Sequence, residues 1–196
     1  MVKRGRVSGS KLGLEKNRSK SIFALLEKDH KATFQNLDRF YEALKNLRFE
    51  GKQNLGKNIS EIREFVSYFK REIKTHMREE EKILFPFLQT HVPRLEPMIC
   101  LLLSEHGDFR NCLNYLGLSL SEFRKTGSDK TRLIHGLNEQ GTYLVCLLRG
   151  HMWLETQSLY RAADRELHRS EKKQLIEQIT KIGGHHVLGR RSTRTG

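Results

Sequence analysis

Four apolar stripes with helical spacing run through this chain, and each is interrupted by a histidine where its period asks for an apolar side chain. The first stripe is Phe23, Leu26, His30, Phe34, Leu37, Tyr41 and Leu44. The second is Ile62, Phe65, Phe69, Ile73, His76, Glu80, Ile83 and Phe87. The third is Ile99, Leu102, His106, Phe109, Leu113, Leu116, Leu120 and Phe123. The fourth is Leu133, Leu137, Gly141, Leu144, Leu148, His151, Glu155 and Leu159. Steps of three and four make narrow seams that pack helix on helix, and no strand-like alternation competes with them. A polar segment bounded by Gly51 and Gly56, the prolines Pro86, Pro93 and Pro97, and Gly127-Ser128-Asp129 separate the stripes. The prolines are expected to break the chain. Asn58 and Glu61, in Asn-Ile-Ser-Glu, are expected to cap the second helix.

Short loops between such helices favour antiparallel neighbours. A last amphipathic segment, Leu175, Ile176, Ile179 and Ile182, starts near Ser170 and stops at Gly183-Gly184. The expected fold is therefore all-α: an antiparallel up-down four-helix bundle over residues 21–167, with an appended short C-terminal helix over 168–183. Residues 1–20 and 184–196 are expected to be basic, flexible tails.

A buried carboxylate costs several kcal/mol unless it is paired, hydrogen-bonded or bound to a metal. One polar residue in a core is commonly a satisfied histidine; six at facing positions of four helices require another explanation. Their spacing supplies it. His30 to His106 is 76 residues, while His76 to His151 and Glu80 to Glu155 are each 75. The repeat extends to neighbouring letters. Leu25-Leu26-x-x-Asp29-His30 matches Leu101-Leu102-x-x-Glu105-His106. Tyr68, Ile73, His76, Met77, Glu80 and Leu84 match Tyr143, Leu148, His151, Met152, Glu155 and Leu159 in identity or type. The matches centre on the polar residues, which argues for one shared site with pseudo-twofold symmetry.

A histidine and a glutamate four residues apart lie on one helix face, about 6 Å apart along the axis, and address one locus. Four imidazoles and two carboxylates in a bundle centre suit transition metals, with imidazole fitting iron, zinc or copper. If both carboxylates bridge and an oxo or hydroxo group is added, each of two ions has five donors and keeps one open position. Two metals with open positions is the sharper reading than one closed structural ion.

Charge and cysteines narrow the setting. The chain has 196 residues and a formal net charge of +13. Residues 1–20 carry +6 and residues 181–196 carry +4, leaving +3 for the segment between. Nucleic-acid contact through the tails is a weaker expectation than simple solubilisation. Cys100, Cys112 and Cys146 are odd in number and include no paired motif, so each is expected in the core of a cytoplasmic protein. No apolar run is long enough to span a membrane.

Taken together, these segments resemble the hemerythrin-like (HHE cation-binding) family, whose non-haem di-iron centre lies inside a four-helix bundle. The run from His76 through Glu80 to Pro86 resembles its most recognisable signature, and Asp29-His30, Glu105-His106 and His151-Met-Trp-Leu-Glu155 match its other ligand segments. The resemblance covers about residues 21–167. It implies that His30, His76, His106 and His151 ligate two iron ions, with Glu80 and Glu155 bridging. Oxygen-carrying hemerythrins have a fifth histidine one turn after the third ligand, where this chain has Arg110. The centre thus resembles four-His, two-Glu members, including proteins of nitric-oxide response and iron–sulfur cluster repair, although residues 1–20 lack the cysteine the repair proteins often carry. Ferritin-like bundles use paired Glu-x-x-His motifs. Glu27 and His30 have that spacing, but Leu103 occupies the equivalent place in the second half.

The resemblance implies a protein that binds or reacts with a small oxidant: dioxygen, nitric oxide or peroxide. The alternative is an iron- or redox-responsive interaction module, or an iron donor for cluster repair. Enzymatic turnover and simple binding both remain open, because fold and ligand set are compatible with either. Asp29 and Glu105 read equally as orienting partners for an imidazole or as solvated acids. Glu79 and Glu81 read as an outer charged face, Tyr68 and Tyr143 as packing residues, and Met77, Met152 and Trp153 as helix contacts. His91, His135, His168, His185 and His186 fall outside the repeat and are not expected to be ligands.

Overall fold

The structure, a computed structural model, describes residues 22–49, 54–125 and 127–182. Both expected tails, with His185 and His186, lie outside the described residues. Every regular element among the described residues is helical. Helix α1 spans Ile22–Phe49. The second rod begins as α2 (Leu55–Tyr68), passes through a π turn at Phe69–Ile73 into α3 (Lys74–Glu79), then through a second π turn at Glu80–Leu84 into α4 (Phe85–His91). A 3-10 turn at Pro93–Leu95 leads into α5 (Glu96–Glu122). Helix α6 (Lys130–Leu154) continues through a π turn at Glu155–Leu159 into α7 (Tyr160–Glu166), and α8 covers Arg169–Ile182.

Two local expectations are corrected. The second rod starts at Leu55, four residues before Ile59, and Asn58 is buried inside its first turns with no hydrogen bond from its side-chain nitrogen Nδ2. It is not a cap: apolar Leu55 and Ile59 pack inward and carry the helix upstream of the polar signal. Pro86 does not break the chain either. It falls in the first turn of α4, directly after the π turn, where the helix tolerates a missing N–H. The break comes at Val92, whose φ of −137° and ψ of 66° leave the helix before Pro93. The turn before α6 follows its residues closely. Gly127 takes a φ of 82°, and Asp129 caps the helix by accepting from the Arg132 amide at 3.0 Å.

The rods form a helical bundle in which α1 packs on α2 and α6, and α5 packs on α6 and α2. Its apolar interior is split in two. One cluster gathers Leu37, Leu44, Ile62, Phe69, Phe109, Leu116, Leu144 and their neighbours. The other gathers Phe23, Leu26, Leu84, Leu88, Ile99, Leu102 and Tyr160, with Leu175 and Ile179 from α8. Helix α8 packs on the π turn that carries Glu80. The polar layer of histidines and glutamates lies between the two clusters along every rod.

The cysteine and tryptophan readings are only partly right. Cys112 is buried, but Cys100 and Cys146 are exposed, as is Trp153. Each exposed side chain falls on the outer face of its helix, where burial is not available whatever its apolarity.

The close approach of α6 to α1 depends on Gly141. A Cβ there would stand 2.6 Å from Leu44 Cδ1 and 3.2 Å from Phe40 Cζ. Gly141→Val is expected to cost about 1–3 kcal/mol through overpacking, read as a lower urea midpoint with an unchanged slope.

Candidate metal centre

Each candidate side chain is aimed inward by its helix. His30 comes from α1, His76 from α3, His106 from α5 and His151 from α6. Glu80 and Glu155 each open a π turn, at equivalent places in the two halves. A π turn adds a residue to one turn, so the register slips and two successive side chains can face the interior. That is what happens here: Glu80 and Glu81 both reach histidines, as do Glu155 and Thr156.

All six expected residues converge. His30, His76, Glu80 and Glu155 present donor atoms within 4.8 Å of one another, and so do Glu80, His106, His151 and Glu155. The two groups share both glutamates. Glu80 Oε1 is 3.2 Å from His76 Nε2, and its Oε2 is 3.6 Å from His106 Nε2. Glu155 Oε2 is 3.2 Å from His30 Nε2, and its Oε1 is 3.4 Å from His151 Nε2. Each carboxylate thus directs one oxygen toward each histidine pair.

The outer ring nitrogens explain why the inner ones are available. His106 Nδ1 donates to Glu81 Oε1 at 2.8 Å, and His151 Nδ1 donates to Glu105 Oε2 at 2.7 Å. His30 Nδ1 lies 3.1 Å from Thr156 Oγ1, and His76 Nδ1 lies 3.8 Å from Asp29 Oδ2. A carboxylate at Nδ1 fixes the proton there and leaves the Nε2 lone pair for a cation. The Nε2 atoms face each other at 3.1 Å within each pair, His30 with His76 and His106 with His151. Two lone pairs so placed require a proton or a metal between them. Glu80 Oε2 and both Glu155 oxygens are buried and accept no hydrogen bond, although imidazoles stand near. A buried carboxylate in that condition fits a cation.

The electrostatics agree. Burial opposes charge on His151, yet Glu155 and the bond to Glu105 prevail and push it up to about 10. Burial likewise opposes charge on His76, and Glu80 overrides it, holding that residue well above its ordinary value. His106 is lowered by burial, despite Glu80, with His151 adding to the effect. Burial would raise Glu155, but His151 and His30 hold it well below the usual carboxylate range. The layer favours positive charge, which either protons or metal ions can supply.

Several contributors escaped the sequence reading. Glu81 is not an outer-face acid; it bonds to His106 and also pairs with Arg110, the residue at the fifth-histidine position. Thr156, its repeat counterpart, serves His30. Tyr160 donates to Glu80 Oε1 at 2.9 Å, and burial beside Glu155 and Glu80 keeps its hydroxyl protonated. The signal available was the repeat itself, since 81 and 156 directly follow the paired glutamates. Of the two acids read equally as orienting partners or solvated, Glu105 bonds to His151, while Asp29 stands near His76 at 3.8 Å without a hydrogen bond. Tyr68 lines the cavity beside the site and its hydroxyl is 3.1 Å from Thr33 Oγ1, whereas Tyr143 is exposed. Met77 and Met152 are buried against the site. Among the remaining histidines, His91 bonds to the Phe87 carbonyl and His135 is exposed beside Glu139.

An all-helical chain with a buried four-histidine, two-glutamate layer defines a cation-binding helical bundle. Residues 21–124 match the hemerythrin HHE cation-binding domain, and the chain belongs to that family. The match contains His30, His76, Glu80 and His106; His151 and Glu155 lie beyond it and rest on the repeat and the geometry. No curated protein and no solved structure matches the chain. Among the described residues, no helix is long and apolar enough to cross a membrane.

Proposed function

We propose that the chain is a di-iron protein that binds or reacts with a small oxidant: dioxygen, nitric oxide or peroxide. His30 and His76 hold one ion, His106 and His151 the other, and Glu80 and Glu155 bridge them. The observation that carries this reading is the sharing of both glutamates, each with one oxygen toward each histidine pair. The rods are arranged as an antiparallel up-down four-helix bundle with α8 appended, a reading supported by the packing of α1 on α2 and α6 and of α5 on both.

Iron, when bound, supplies electrons and an open coordination position. The protein supplies the rest. A cavity of about 650 Å³ adjoins the site, walled by Ile73, Met77, Phe109, Leu148 and Met152. These apolar walls offer room for a small guest, while Asp29, Asn36 and Glu72 line the polar side of the cavity. Thr33 and Tyr68 place two hydroxyls in the cavity lining, and Tyr160 holds Glu80 in orientation through its hydrogen bond. Arg110 adds no ligand, because its guanidinium is turned to Glu81.

Purified protein is expected to retain about two iron ions per chain by metal analysis. An anaerobic titration of the iron-loaded protein with dioxygen, nitric oxide and peroxide, followed optically, is expected to change the visible spectrum with at least one. Iron retention with silence toward all three would instead favour the iron-responsive interaction module. Failure to retain any metal would leave a helical bundle whose polar layer is satisfied by protons.

A further inference from the structure

The two ion loci share their glutamates but differ in the outer partners of their histidines. We infer that they are unequal: the His106/His151 locus holds a resident ion, and the His30/His76 locus an exchangeable one. The inference rests on the two-ion reading above and concerns how tightly each ion is held.

The first observation is the outer partner of each imidazole. At the His106/His151 locus both Nδ1 atoms donate to carboxylates, at 2.8 Å to Glu81 and 2.7 Å to Glu105. Glu81 is in turn held in place by its ion pair with Arg110. At the His30/His76 locus neither bond is of that kind. His30 meets the neutral hydroxyl of Thr156 at 3.1 Å. His76 faces Asp29 at 3.8 Å, beyond hydrogen-bond distance, and its Nδ1 has no hydrogen-bond partner. An anionic acceptor at Nδ1 makes the imidazole a stronger donor and locks its ring, and losing such a partner typically weakens metal binding about 10–100-fold.

These differences are written in the repeat. Glu81 corresponds to Thr156, and Glu105 corresponds to Asp29, which is one methylene shorter. Arg110 corresponds to Phe34, so the first half has no cation at the equivalent place.

The second observation is enclosure. The His106 side chain is fully buried, those of His151 and His30 are 4% and 5% exposed, and that of His76, at 15%, is the most open of the four. The cavity is lined by His30, His76 and His151 and leaves His106 out, and its lining includes Asp29 and Glu72. Both histidines of the first locus thus border the cavity with acidic residues beside them, whereas only His151 of the second does, and His106 packs instead against Phe85, with ring centroids 5.8 Å apart, and against Phe109.

The test uses Fe(II) alone, titrated anaerobically into the full chain after chelation, in competition with a chromophoric chelator. Two steps of one ion per chain are expected, separated by at least about ten-fold in Kd. In the loaded protein, excess chelator is expected to remove one ion quickly and the second slowly. Glu81→Gln is expected to weaken the tighter step about 10–100-fold and leave the weaker one in place. Thr156→Glu, combined with Asp29→Glu, is expected to tighten the weaker step and narrow the gap; circular dichroism checks that each variant is helical. Two equal steps in the native chain, or an effect of Glu81→Gln confined to the weaker step, would overturn the inference and leave the two-ion reading intact. Absence of iron binding in the native chain would overturn both.

Discussion

Glu155→Ala is expected to strip both ions from the chain, although it removes one side chain from a set of six. The reason is topological. Glu155 Oε2 faces the His30/His76 pair and its Oε1 faces the His106/His151 pair, so one truncation deletes a donor from each group. It also removes negative charge on which binding of any cation in this layer depends. The remaining carboxylate, Glu80, still addresses both pairs, but each group is then left with three of its four donors. Metal analysis of purified Glu155→Ala is expected to find less than about one tenth of the native iron, with helicity retained by circular dichroism. Retention of native iron would remove Glu155 from the ligand set. As a control, Glu79→Ala, whose side chain is buried in the cavity lining but belongs to neither donor group, is expected to keep its iron.

The second large effect is an inversion of pH dependence. In the chelated protein, His151 is raised to about 10 from an unfolded value near 6.5, and His76 is also raised. A raised histidine contributes stability that is fully present below about pH 6.5 and is lost as pH climbs through its folded value. Glu155 is held low, so its contribution is present above about pH 4.5 and is lost as pH falls below it. His106, whose pKa is lowered, subtracts stability as pH falls below 6.5. The chelated chain is thus expected to be most stable between about pH 4.5 and 6.5 and to lose on the order of a few kcal/mol toward pH 10. With iron bound the sign reverses in the neutral range. Metal and proton compete for the same Nε2 lone pairs, so raising the pH favours the ion and, through it, the fold. Thermal melts of chelated and loaded protein between pH 5.5 and 9 are expected to diverge. Parallel curves would show that protons and metal do not share these atoms.

Particular residues show where legibility ended. Helical period placed Leu37, Leu44, Ile62, Leu102, Phe109 and Leu144 in the interior, and they are buried. It placed the six polar residues on the same stripes, and they meet in one layer. Burial of a stripe follows from spacing alone, because every side chain three or four residues on shares a face. Glu81 defeated the same logic. On an unbroken α-helix, the residue after Glu80 points about 100° away, toward solvent. The π turn at Glu80–Leu84 returns it to the interior, and nothing in the local letters announces that turn. Pro86 misled for a related reason, since the π turn ahead of it absorbs what a proline would otherwise disrupt.

The sequence by itself determined an all-helical chain, its repeat, and the six polar positions that its apolar stripes enclose, because these depend on period and on the cost of burying charge. The tertiary structure decided how the six are shared between two groups, which imidazoles gain an anionic partner, and which side opens to a cavity. Those properties depend on distances between residues 25 to 126 positions apart, such as Glu81 to His106 and Thr156 to His30. Asp29 stands 3.8 Å from His76 where its longer repeat counterpart Glu105 stands 2.7 Å from His151, and only the packed helices make that difference visible.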